Sequence, residues 1–102
     1  MLCWTRDLET AKSVTDVVGL AQDCIAGLPE ERRRVLPEVC HAREVRDASD
    51  VQWWRERLSE EYWRRRALGL DVEAIQDVWS FFLRASIQTH RLSARVRATS
   101  AP

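Results

Sequence analysis

The stretch VQWWRERLSEEYWRRR, residues 51–66, holds four aromatic rings and five arginines. Rings and guanidinium groups at helical spacing support two chemistries. One is stacking plus charge on a nucleic-acid base, and the other is the desolvated aromatic and Arg contact that dominates protein interfaces. At about 100° per residue, Val51, Trp54, Leu58 and Tyr62 share an arc roughly 80° wide, which is the helix's own core contact. Trp53 falls about 160° and Trp63 about 120° from that arc, so one set of neighbours cannot bury all four rings. Arg57 and Arg64 share a face with Trp53, where a guanidinium can stack on indole. Trp53, Arg57, Trp63 and Arg64 are therefore the candidate partner-binding residues. A groove closed over the rings by residues 29–47 is the intramolecular alternative.

Charge separates the two chemistries. Sixteen Lys plus Arg balance sixteen Asp plus Glu, so the chain carries no overall positive field to draw it onto DNA or RNA. Glu56 and Glu60 interrupt the aromatic face, and Glu60 with Arg64 and Glu61 with Arg65 have the favoured i, i+4 order. Much of the helix's positive charge is answered locally, which suits a protein-facing surface better than a phosphate track. The run Arg64, Arg65, Arg66 keeps a nucleic-acid reading as the alternative. Fifteen of the sixteen basic residues are Arg, a bias that fits interface use and equally fits a GC-rich genome.

Other chemistry is weakly represented. His41 and His90 with Cys24 and Cys40 lack the spacing of a zinc set, and adjacent Cys40 and His41 point about 100° apart on a helix. No metal or cofactor is expected. No Gly-rich loop, GxSxG or HExxH is present, and Glu30, Glu31, Glu60 and Glu61 sit beside arginines, where ion pairing is the simpler role. An enzyme is not expected. Three cysteines without CxxC spacing, and an N-terminus without an apolar signal stretch, suggest a cytoplasmic, reduced protein. No apolar run approaches the roughly 20 residues of a membrane span.

The elements that must position these residues read as helices, in a single domain over residues 1–102. Residues 1–9 form a lead-in. Val14, Val17, Val18, Ala21, Ile25 and Leu28 then recur at three- and four-residue steps, ended by Gly27 and Pro29. Pro29 and Pro37 each suit a first helical position, which predicts one or two short helices or turns before Asp47. Ser49 with Gln52 forms a capping box, and Gly69 terminates a helix of about five turns. Asp71 caps a last helix starting near Val72, and residues 98–102 form a frayed tail. Nothing alternates with period two, so the fold class is all-α: a small bundle of three long helices with antiparallel connections.

The last helix carries two apolar seams. Val72, Ile75, Trp79, Phe82 and Leu83 make one, and Val78, Phe81, Ala85, Leu92 and Val96 make a second, displaced by about 100°. Two seams need two partners. The second is assigned to self-association in a homodimer, with burial by the rest of the bundle as the alternative.

The stretch ASIQTHRLSARV, Ala85 to Val96, resembles the C-terminal helix of the small TraM-type antiactivators, and the chain's size and helical character are similar to the QslA-type antiactivators as well. Residues 1–70 do not follow the TraM pattern. The resemblance implies a helical, dimeric bacterial protein that binds a LuxR-type quorum-sensing transcription activator and prevents its dimerisation or DNA binding. A small nucleic-acid-binding protein and a structural subunit of a larger complex are the alternatives.

Overall fold

The computed structural model describes residues 4–100, with side-chain surroundings for residues 7–95. Cys3 and the side chain of Val96 lie outside that description. Six helices follow one another: α1 Trp4–Thr10, α2 Val14–Ala26, α3 Glu30–Arg33, α4 Glu38–His41, α5 Ala48–Ala67 and α6 Glu73–Ser100. No strand occurs among the described residues, so the all-α expectation holds.

Local chemistry sets the ends. Ser13 caps α2 by accepting from the Asp16 N–H at 3.1 Å, while Asp16 Oδ2 accepts from the Lys12 N–H at 3.0 Å. Side chains at both ends of that four-residue span thus satisfy backbone donors that the helix leaves unpaired. At the other end, Arg33 reaches back to the carbonyls of Ile25 at 2.8 Å and Leu28 at 3.3 Å. Pro29 and Pro37 precede the two four-residue helices from their N-cap positions.

Three boundaries differ from expectation. Residues 4–10 form a helix, with Leu8 buried in the core, where a lead-in is expected. α5 is capped by Asp47, whose Oδ1 accepts from the Asp50 N–H at 3.0 Å and from the Ser49 hydroxyl at 2.7 Å. Asp47 already supplies a strong acceptor, so Ser49 sits inside the first turn and Gln52 is free to reach Ser86. α6 continues through Ser100, beyond the point at which the tail is expected to fray.

α5 and α6 form an antiparallel hairpin. Moving up α5, Gln52 meets Ser86, Trp54 stacks on Phe82 at 5.2 Å and Tyr62 lies on Trp79 at 4.3 Å, so the partner numbers fall as α5 advances. Trp54 and Phe82 are within 14° of parallel. The buried indole N–H groups of Trp54 and Trp79 meet no acceptor, so ring contact and apolar area outweigh a cost of about 1–3 kcal/mol each. α2 and α1 pack on α6, and α2 also touches α5. The 28 residues of α6 run for about 42 Å and set the long axis of a molecule measuring 52 × 24 × 23 Å.

The second seam of α6 is internal. Val78, Phe81 and Ala85 have no exposed surface, and Leu92 is almost fully buried. These four residues belong to the chain's own core, where α2 and α1 are the principal remaining neighbours of α6. Their assignment to self-association is therefore corrected: intramolecular packing already removes their side chains from water.

The hairpin turn depends on Gly69. The Leu70 N–H donates to the Arg65 carbonyl at 2.9 Å and the Gly69 N–H to the Arg66 carbonyl at 3.2 Å, with Gly69 at φ +71°. This is the glycine-ended helix stop in which a left-handed residue turns two amides back onto the last turn. A Cβ added there meets nothing within 4 Å, so the penalty of a side chain is purely conformational. Gly69→Ala is expected to cost about 1 kcal/mol in urea unfolding, with the slope unchanged.

Candidate functional site

The four candidate residues on α5 divide into two places. Trp53 and Arg57 lie near the start and middle of the helix, and Trp63 and Arg64 near its end, about 15 Å further along the axis.

At the first place, the segment between α4 and α5 closes over Trp53. The Arg43 guanidinium lies 4.6 Å from the Trp53 ring centre, and that of Arg57 approaches to 5.7 Å. The opposite contact is the edge of Trp54 at 6.3 Å. Arg43 is held in turn by Asp50, whose Oδ1 accepts from Nε at 3.1 Å and Nη2 at 2.8 Å. Asp50 is only 3% exposed, and its Oδ2 accepts from the Arg46 N–H at 2.9 Å. That backbone hydrogen bond, followed by the Arg43 contacts, holds the Asp50 carboxyl below the usual carboxylate range against the opposing effect of burial. Gln22 adds a further tie from α2, donating to the Val45 carbonyl at 2.6 Å. Trp53 and Arg57 thus serve an intramolecular joint, the groove closed by residues 29–47.

The second place is open. Trp63 is 55% exposed, with its ring against Tyr62 at 5.1 Å and Trp79 at 6.4 Å and the Arg66 guanidinium 5.6 Å from its centre. Arg66 also donates to the Tyr62 hydroxyl at 3.1 Å, which fixes it beside the ring. Just beyond the helix, Leu68 is 61% and Leu70 47% exposed, one on each side of Gly69. Half-buried Val72, just before α6, and Trp79 in its first turns lie at the same end of the hairpin. Large apolar side chains left in water at one end of a small molecule mark a contact surface.

Arg64 stands at the edge of this surface, bound to Glu61. Glu61 accepts from Arg64 Nε at 3.0 Å, Arg64 Nη2 at 2.6 Å and Arg65 Nε at 2.7 Å. The Arg64 hydrogen bonds lead the lowering of the Glu61 carboxyl, and Arg65 adds to it. The pairing expected between Glu60 and Arg64 is replaced. Glu60 turns back to Arg57 at 3.1 Å, because Arg57 is held at the Trp53 joint, and Glu61 takes two arginines. Arg64 and Arg65 thus share one carboxylate and Arg66 lies against Tyr62 and Trp63, so each guanidinium of the run is already held by a contact that a phosphate would have to displace.

Cys24 and Cys40 are core residues whose thiols burial pushes up to about 12, so they stay protonated at neutral pH. His41 and His90 are exposed on separate helices, and no group of three His, Cys, Asp or Glu at metal-binding distance occurs among the described residues. No helix there is long and apolar enough to cross a membrane. Sequence periodicity missed Arg43, which lies outside any long helix, and Leu68 and Leu70, which flank a turn. The visible signal for the two leucines is their place beside a terminating glycine, where apolar residues have no helix face to join. Comparison with protein-family models, curated proteins and solved structures finds no match to the chain.

Two tests separate the joint from the open surface. Trp53→Ala is expected to lower stability by about 2 kcal/mol, whereas Trp63→Ala stays within about 1 kcal/mol of the parent in the same urea titration. Asp50→Ala is expected to cost about 2 kcal/mol near neutral pH. The folded-state pKa of Asp50 is depressed, so its contribution is present above the unfolded value and disappears as pH falls through the acid range. The parent and Asp50→Ala stability curves should therefore converge on acidification, and a gap that persists undiminished at low pH contradicts the assignment.

Proposed function

We propose that this chain is a non-catalytic, protein-binding regulator and that the end of the α5–α6 hairpin is its docking surface. The observation that carries the proposal is the exposure of Trp63, Leu68 and Leu70 together at that end. Trp and Arg gain much contact area for little lost rotamer freedom, and Arg66 already lies against the Trp63 ring. The partner we propose is a LuxR-type quorum-sensing transcription activator, held so that it fails to dimerise or to reach DNA. Its identity comes from the resemblance over Ala85–Val96, and the docking surface comes from the exposed residues. Nucleic acid is the weaker reading, since Glu61 occupies Arg64 and Arg65.

The test uses a purified LuxR-type activator and its operator DNA. Adding the chain is expected to dissolve the activator–DNA complex and yield a protein–protein complex. The double variant Trp63→Ala with Leu68→Ser is expected to weaken that complex by about 2 kcal/mol or more while retaining helicity. If the parent chain leaves the activator on DNA, the proposed partner is wrong. If the double variant binds as tightly as the parent, the proposed surface is wrong.

A further inference from the structure

The chain is neutral overall, yet its charge is unevenly placed. After Asp77 there is no further Asp or Glu to the end of the sequence, while Arg84, Arg91, Arg95 and Arg97 follow. On α5, Arg57 pairs with Glu60, and Arg64 and Arg65 share Glu61. On α6, Arg84 and Arg91 have no hydrogen-bond or ion-pair partner among the described residues. Arg84, Ile87 and Arg91 are spaced three and four residues apart and so share one face. Ile87, between the two cations, is 54% exposed.

That face borders a groove of about 630 Å³ between the first turns of α5 and the second half of α6. Leu83 and Ile87 line it as apolar surface, Gln52 and Arg55 line it from α5, and His90 and Arg91 line it from α6. No carboxylate lines it. Its α5 side is held in place: the Ser86 hydroxyl donates to Gln52 Oε1 at 2.7 Å, and Arg55 Nη1 donates to the same oxygen at 3.3 Å. Glu9 of α1 lines the neighbouring groove and pairs with neither Arg84 nor Arg91.

We propose that this groove docks an acidic amphipathic peptide segment of a partner protein, its apolar side chains on Leu83 and Ile87 and its carboxylates on Arg55 and Arg91. Charge complementarity selects the acid, because Arg55 and Arg91 line the groove and no carboxylate there repels it. The exposed Ile87 selects a peptide over a nucleic acid. A phosphate backbone would desolvate that side chain without covering it by apolar contact, and beyond Phe82 α6 carries no Phe, Tyr or Trp, only the small imidazole of His90, on which a base could stack. The groove is separate from the hairpin end that carries Trp63, and the proposal does not depend on the partner named for that surface.

Fluorescence anisotropy of the full chain tests this with three labelled probes: a twelve-residue helix-forming peptide alternating Leu and Glu faces, the same peptide with Ser for every Leu, and a twelve-nucleotide single strand. The first is expected to bind, to weaken with added salt, and to lose about tenfold or more in affinity on Arg91→Glu and on Ile87→Asp, two exposed substitutions checked for retained helicity by circular dichroism. Amide chemical-shift changes are expected to centre on residues 83–91. The proposal is overturned if the Leu and Glu peptide fails to bind, if the Ser peptide or the oligonucleotide binds as well, if both variants bind like the parent, or if the shifts centre on residues 68–70.

Discussion

The structure depends on one long helix that is apolar on two sides. α6 cannot leave either seam in water, so it recruits α5 along one side and α2 with α1 along the other. The contact with α5 is aromatic: Trp54 on Phe82 and Tyr62 on Trp79 place large, flat surfaces together at two levels of the hairpin. Rings of this size account for much of the buried area available to a chain of 102 residues. With both seams occupied internally as far as Leu92, α6 has no spare apolar stripe among the described residues. Among the described residues, the large exposed apolar side chains are Trp63 with Leu68 and Leu70 at the hairpin end, Ile87 on α6, and Val39 on α4.

Polar contacts decide where the irregular segment lies. Residues 29–47 contain only two four-residue helices and cannot hold themselves together. They are attached at several points: Leu36, Cys40 and Val45 enter the core, Arg32 reaches Asp77 of α6 at 2.7 Å, and Gln22 of α2 takes the Val45 carbonyl. Asp50 is the most heavily used of these anchors. One buried carboxylate orders Arg43, and Arg43 then lies on Trp53. A residue that periodicity places away from the core arc is thereby covered by a cation in addition to its contact with Trp54.

Charge follows a similar division. The acidic residues lie before Asp77 or at it, and on α5 they pair with Arg57, Arg64 and Arg65 while Arg55 and Arg66 rest on neutral partners. Arg84 and Arg91 of α6 have no such answer among the described residues. A neutral chain therefore presents a polarised surface, with an aromatic and aliphatic tip at one end of the hairpin and a cationic groove towards the other. The two surfaces use different chemistry, one desolvation of large side chains and the other charge pairing around a small apolar floor.

Much of this fold is legible in the residues themselves. The three- and four-residue spacing of Val51, Trp54, Leu58 and Tyr62 identifies the buried face of α5, and all four are buried. Gly69 marks the end of the helix because few other residues tolerate its backbone angle. Trp53 and Trp63 show where local pattern stops being informative. Both point away from the core arc, yet one is closed under Arg43 and the other stands in water, because angular position on a helix states what a side chain leaves and not what comes to meet it. The second seam of α6 shows the same limit in reverse: its residues are apolar in any environment, and only the packing of α2 and α1 against that side decides that their partner is the chain itself. Periodicity and end signals are local properties of the sequence. The covering of a face depends on which distant segments reach it, and that is settled by tertiary contact alone.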